Sequence, residues 1–309
     1  MNPFFLIGAE RSGTTLLRLM LDAHPLISWT HEFEYAVELI DSQNRWPDTG
    51  VYIDWLSKNW NFLTSGFEID RTLDYPSLIK SFLIQKQGNC PIVGATCHVH
   101  YDRLLRLFPN AKLIYLLRDP RDVALSNIVM GWAGNVWTGV DRWVEAVKLW
   151  DRIKQKLEKD ISYIEIKFEE LIASPEETLS SICNFMKIDY DPKMMSYPQY
   201  TTYSKIDISM VDKWKRKMSK KEIWLVEFKC QGLMEKGGYK SVSKNIAGPN
   251  MIERLYLQIQ DRYYRIKFRM KRYGLKLFFS EFFIRKLKIK RLEDRFHKKI
   301  REVDLKYIK

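Results

Sequence analysis

The sequence predicts an α/β fold with a central, mainly parallel sheet flanked by helices, and three observations predict it. Short apolar runs of strand composition alternate with helical stretches along most of the chain. The first run passes through a glycine-bearing loop directly into a helix. Hydrophobic content of 46% suffices for a buried core, yet no apolar run approaches the ~18 residues that would span a bilayer.

The elements follow in order. FFLIG (4–8) reads as a strand buried on both faces. A helix covers 12–23, with Leu16, Leu17, Met20 and Leu21 at helical spacing, and His24-Pro25 ends it. Residues 32–90 read mostly as helix and carry Trp46, Trp55 and Trp60. PIVGAT (91–96) is the second strand, and YDRLLRLF (101–108) a helix closed by Pro109. AKLIYLL (111–117) is the third strand, followed by the turn RDPRD, a helix over 123–130 and another over 141–159. SYIEIKF (162–168) is the fourth strand. The helix over 174–186 opens with Ser174 as N-cap and Pro175 at its first position. The polar stretch 237–250 marks a boundary between a main domain, 1–245, and a basic helical extension, 246–309, interrupted near Gly274.

Charge is concentrated in that extension. The chain carries +13 overall and residues 250–309 carry +12 of it, so the main domain is nearly neutral. The cations are mixed with Tyr, Phe, Leu and Ile. Two readings stay open: a solvated helix that packs part of its apolar surface, or a surface helix in peripheral contact with anionic membrane. No recognised nucleic-acid module accompanies the charge, which argues against nucleic-acid binding. Cys90, Cys97, Cys183 and Cys230 are scattered, none at C-x-x-C spacing, and no basic segment precedes the first apolar run. Both features suit a cytoplasmic protein, peripheral at the membrane if the tail binds there, with no structural metal.

GAERSGTT (8–15) is the chemical centre of the sequence. It matches the spacing of the phosphate loop G-x-x-x-x-G-K-[ST] except that Thr14 stands where the lysine belongs. A strand–loop–helix of this kind aims backbone N–H groups and a helix dipole at an anion. Gly13 permits close approach; Ser12, Thr14 and Thr15 add hydroxyl donors; Arg11 supplies the positive charge. The alternatives are an ordinary tight turn and a Mg²⁺-nucleotide kinase, the latter lacking a clear metal-binding acid.

Two segments together resemble the sulfotransferases that use 3′-phosphoadenosine 5′-phosphosulfate (PAPS). FFLIGAERSGTTLLRLMLDAHP resembles their 5′-phosphosulfate loop, in a pattern similar to tyrosylprotein-type and bacterial carbohydrate-type members. FPNAKLIYLLRDPRDVALSNI resembles their 3′-phosphate motif, placing Arg118 at a strand end and Ser126 eight residues later on a helix. The resemblance covers about residues 4–240. It implies the P-loop-like sulfotransferase fold and PAPS as cofactor, with adenosine 3′,5′-bisphosphate as product. It also implies nucleotide contacts at Arg11, Ser12, Gly13, Thr14, Thr15, Arg118, Ser126, Phe168, Ser209 and Lys213, and no metal.

Transfer of a sulfuryl group by in-line displacement needs donors at the leaving oxygen and a base for the acceptor hydroxyl. Arg11 fits the first role. His24, His31, Glu32 and Glu34 are candidates for the second. The tyrosylprotein-type pattern implies Glu32, which lies 21 residues after Arg11. Many relatives carry a Lys-Thr-Pro segment that helps the leaving group; here Thr96 or a neighbour occupies the lysine position in VGATCHVHY, and His98 or His100 could donate instead. The expected acceptor is a carbohydrate or glycoconjugate, with the tryptophans of 46–60 and 132–150 as stacking surfaces. A protein tyrosine, a kinase-like nucleotide reaction and a non-catalytic scaffold are the alternatives.

Overall fold

The computed structural model describes residues 2–43, 45–155, 157, 162–244, 247–287, 299–300 and 303. Along the chain run β1 (Phe4–Ile7), α1 (Thr14–Asp22), β2 (Ile27–Glu32), α2 (Tyr75–Gln87), β3 (Ile92–Cys97), β4 (Lys112–Leu117), α3 (Pro120–Val129), α4 (Asp141–Lys154), β5 (Tyr163–Lys167), α5 (Phe168–Ala173), α6 (Pro175–Met186), α7 (Lys213–Lys217), α8 (Lys220–Lys229) and α9 (Met251–Leu287). They form two compact units, residues 1–119 with 142–212 and residues 120–141 with 213–309.

The first unit is built on a five-stranded sheet of order β2-β3-β1-β4-β5, parallel at every pairing. β1 lies in the middle and is buried along its whole length. Its side chains alternate between faces. Phe5 and Ile7 join a core with Phe82 and Leu83 of α2, Tyr115 and Trp150. Phe4 and Leu6 join the opposite core with Leu17 and Leu21 of α1, Leu171 and Leu179. Each fully buried side chain of this size contributes roughly 1.5–3 kcal/mol, so both faces anchor the strand that leads into the loop.

The sequence pattern predicts four strands, and β2 is the addition. ISWTHE is short and half polar, and its strand state is set by distant partners. Asp22 Oδ1 accepts the Trp29 backbone N–H at 2.6 Å, and Trp29 Nε1 donates to Thr96 Oγ1 at 3.2 Å. The Trp29 ring fills the space above Gly94, where a Cβ would stand 2.3 Å from it. Of residues 101–108 only Leu104–Leu107 are α-helical, because Tyr101 is drawn inward to donate its hydroxyl to Ala146 O at 2.7 Å. Ser174 does precede α6, with Pro175 in its first turn, but its side chain makes no capping bond.

In the second unit α3 begins at Pro120, so part of the expected RDPRD turn is already helix. Arg121 Nη1 meets Glu227 Oε1 at 2.6 Å with both side chains almost fully buried. Glu227 also accepts the Val242 and Ser243 N–H groups, so the buried charge is fully bonded. α9 docks through Asp261, which accepts from Gly134 N and Thr138 Oγ1, each at 2.6 Å. Gly134 permits that approach, since a Cβ there would lie 2.4 Å from the Asp261 carbonyl oxygen. Gly274, at φ 75° and ψ 157°, breaks the helix where the sequence suggests an interruption. Among the described residues no helix is long and apolar enough to cross a membrane.

Candidate active site

The loop between β1 and α1 leaves the middle of the sheet's carboxyl edge, the edge where parallel α/β sheets place ligands. Three of its residues take positive φ: Gly8 at 148°, Arg11 at 68° and Gly13 at 95°. Gly8 is forced by its neighbour, since a Cβ would stand 2.3 Å from Leu116 O. Gly13 is forced too, because a Cβ would sit 2.2 Å from the Phe168 ring. Arg11 holds the left-handed conformation despite its side chain, at a cost of roughly 1–2 kcal/mol, and so turns its carbonyl toward Arg118.

No side chain caps α1 at Gly13, so the first-turn N–H groups stay without an intrahelical acceptor. Ser12 is fully buried, and among the described residues its Oγ has no hydrogen-bond partner. A stranded hydroxyl of this kind costs roughly 1–3 kcal/mol. Backbone donors, an orphaned hydroxyl and Arg11 together fit an anion such as a phosphosulfate. Thr14 is buried and Thr15 half-buried in the same first turn.

Arg118 follows β4 and is 8% exposed. Its guanidinium lies 4.2 Å from the Phe168 ring centroid, donates from Nη1 to Arg11 O at 3.1 Å and from Nη2 to Met210 O at 2.7 Å. Trp143 Nε1 fixes the Arg118 carbonyl at 2.8 Å, and Glu169 accepts the Asp119 N–H at 2.9 Å. Ser209, beside Met210, is held by Asp207, which accepts both its backbone N–H and its hydroxyl. Arg11, Gly13, Arg118, Phe168 and the Ser209 turn therefore form one connected cluster. The other expected nucleotide residues belong to the second unit. Ser126 is half-buried on α3, and Lys213 is exposed at the start of α7, where the next N–H, of Trp214, donates to Asp122 Oδ1 at 2.8 Å.

The base candidates separate clearly. His24 uses both ring nitrogens structurally: Nδ1 accepts from Leu26 N at 3.1 Å, and Nε2 donates to Asp189 O at 2.9 Å. Burial and the Arg18 charge lower the pKa of His31. Glu32 is exposed at the end of β2, in register with Thr96, and its Oε2 accepts from Asn61 Nδ2 at 3.1 Å. Two strand spacings of ~4.8 Å separate its backbone from β1. Glu34 turns inward, accepts the His98 N–H at 2.8 Å, and burial pushes its carboxyl up to about 7. His98, not a lysine, stands beside the loop, with Nδ1 3.1 Å from Gly8 O. His100 is exposed. Among the described residues no cluster of His, Cys, Asp and Glu is arranged to hold a metal.

Asn61, Trp143 and Glu169 are site neighbours that sequence reasoning does not reach. Only Glu169, inside the segment around Phe168, lies where a motif could have pointed. The tryptophans expected to stack on sugar are mostly committed elsewhere: Trp143 and Trp150 are buried, Trp46 packs on Tyr75 and Trp55 on Tyr52.

Comparison with known proteins identifies the family and the fold. A family profile described as "Sulfotransferase family" matches residues 3–192, more than half of the chain. The chain belongs to the sulfotransferase family. Protein-tyrosine sulfotransferase A of Caenorhabditis elegans is 27% identical over 216 residues, covering 64% of this chain and 53% of the relative. Protein-tyrosine sulfotransferase 2 of Gallus gallus is 26% identical over 216 residues, covering 64% and 54%. The chain thus spans about half the length of these relatives. The sulfotransferase domain from the Synechococcus PCC 7002 olefin synthase shares the fold with a TM-score of 0.57 at 19% identity, covering 77% of this chain and 96% of that one.

Proposed function

We propose that the protein transfers a sulfuryl group from PAPS to an acceptor hydroxyl. The observation that carries this reading is the buried, partnerless Ser12 hydroxyl at the uncapped start of α1, inside the family-matching region. PAPS supplies the sulfuryl group when bound. The first-turn N–H groups, Ser12, Thr14 and Thr15 hold its anionic end, and Arg11 supplies charge where negative charge develops on the leaving oxygen. Arg118, stacked on Phe168 and joined to the Ser209 turn, serves the 3′-phosphate. The family resemblance also implies nucleotide contacts at Ser126 and Lys213. Glu32, fixed by Asn61 through one carboxylate oxygen, takes the proton of the acceptor hydroxyl with the other.

For the acceptor, the names of the relatives support the phenolic hydroxyl of a protein tyrosine over the saccharide that the sequence suggests. The burial of Trp143 and Trp150 removes part of the physical support for a sugar platform. The test is sulfuryl transfer from labelled PAPS to tyrosine-bearing peptides and, in parallel, to glycans. Glu32→Gln is expected to lower turnover by roughly 10²–10⁴ while leaving nucleotide affinity intact. Full activity of that variant would remove Glu32 as base, and labelled glycan without labelled peptide would reverse the acceptor reading.

A further inference from the structure

Helix α9 has two apolar faces, and one of them is spent on the fold of the second unit. On that face Leu257 and Asp261 are buried, and Asp261 fixes Gly134 and Thr138. The Phe268 ring fills the space above Gly131, where a Cβ would stand 2.2 Å from it. The opposite face of the helix carries Ile252, Tyr256, Ile259, Tyr263, Ile266 and Met270. The first five are exposed and Met270 is half-buried. Their steps of four, three, four, three and four residues make a strict seven-residue repeat, ahead of the break at Gly274. Cations flank this seam. Arg262 and Lys267 are exposed on its two sides, and Arg269 follows on the side of Arg262. Glu253, the one acid beside the seam, is already bonded to Lys221 at 3.3 Å and to the Asn250 N–H at 3.1 Å.

We propose that this seam docks an acidic amphipathic helix of a partner protein as a two-stranded coiled coil. A strict 3.5-residue apolar period is the pattern a second helix requires, because it keeps the knobs of one helix over the holes of the other. A lipid surface imposes no such period and is served by a broader stripe of 3.6-residue period. Charge argues against a second copy of this chain. Parallel pairing sets Arg262 against Lys267 of the other copy, and antiparallel pairing sets one arginine flank against the other. A partner with glutamates at the flanking positions removes that repulsion and adds ion pairs in either orientation. The helix is presented already folded, since its other face is fixed to Gly131, Gly134 and Thr138, so docking costs little ordering on this side. The inference stands apart from the chemistry at the sheet edge.

The experiment is fluorescence-anisotropy titration of labelled synthetic three-heptad peptides with the full chain. One peptide has leucine at its core positions and glutamate at its flanking positions. A second has lysine at the flanks, and a third is the glutamate peptide scrambled. Wild type is expected to bind the ordered glutamate peptide roughly tenfold or more tightly than either of the others. Ile259→Asn alters an exposed seam position, so urea unfolding should show stability unchanged while peptide binding weakens roughly tenfold or more. Arg262→Glu combined with Lys267→Glu is expected to turn the preference toward the lysine peptide. Equal binding of the ordered and scrambled peptides, or no response to Ile259→Asn, reduces the face to a charged surface and overturns the proposal. So does the absence of peptide binding. Two parallel measurements read the other occupants. Flotation with phosphatidylglycerol vesicles in place of peptide binding would assign the face to membrane and overturn the proposal. Sedimentation showing a wild-type dimer that Ile259→Asn dissolves would assign it to a second copy, with the same consequence.

Discussion

The carboxyl edge of the sheet and the helix α9 carry positive charge in opposite ways. At the edge, Arg118 is nearly buried, stacked on Phe168 and bonded to two carbonyls. Along α9, cations surround apolar side chains that face solvent, such as Ile252 at 79% exposure and Ile259 at 60%. The helix is fastened mainly where Leu257 and Asp261 are buried. Net charge singles out the second region, because residues 250–309 hold +12 of the chain's +13. Orphaned buried donors and forced glycines single out the first. Charge count measures what a surface attracts at long range; a binding site is marked by polar groups whose partners are fixed or missing.

The harshest way to break this contrast is Gly13→Ala. Its φ of 95° and the Phe168 ring 2.2 Å from an added Cβ leave no room. The expected cost is roughly 2–4 kcal/mol, with nucleotide binding lost. Urea unfolding beside nucleotide titration would measure both, and a stable variant with wild-type affinity would show that the loop is not held as described.

Asp261→Ala probes the other region. It strands the Gly134 N–H and takes one acceptor from the Thr138 hydroxyl, which keeps Asn135, and should cost about 1–2 kcal/mol in thermal or urea unfolding. Unchanged nucleotide affinity in that variant would sharpen the contrast, and a large loss would erase it.

Glu34 gives a pH signature of the edge. Its folded-state pKa is raised from 4.5 to about 7 by burial. The folded state therefore binds more protons than the unfolded one between those values. The stabilisation is fully present below pH 4.5 and is lost as pH rises through 7. Urea unfolding from pH 4.5 to 7.5 should show a decline of about 3 kcal/mol that Glu34→Gln flattens. An identical profile in the variant would assign the decline to other groups. The smallest effect is expected at Arg262→Ala, an exposed position on α9, whose stability should stay within about 0.5 kcal/mol of wild type.

What the sequence makes legible follows the same division. The loop, β1 and Arg118 at the end of β4 are readable because a buried parallel strand and a glycine loop are local demands. β2 is not, because Trp29 owes its place to Gly94 and Thr96, far along the chain. The bond from Asn61 to Glu32 leaves no trace in spacing at all. His24, one of four base candidates by sequence, is removed by two hydrogen bonds that only the fold reveals. The tryptophans give no guide to an acceptor for a related reason, since composition cannot tell a ring stacked on Tyr115, as Trp150 is, from one open to a ligand.

The central claim is that the edge built by Arg11, Ser12, Gly13 and Arg118 holds a 3′-phosphorylated nucleotide. Calorimetric titration without metal, comparing adenosine 3′,5′-bisphosphate with 5′-AMP in wild type and Arg118→Ala, tests it most directly. The account predicts that wild type binds the bisphosphate much more tightly, and that Arg118→Ala removes most of this preference while 5′-AMP binding changes little. Equal weak binding of both nucleotides by wild type, or equal losses in the variant, would contradict it.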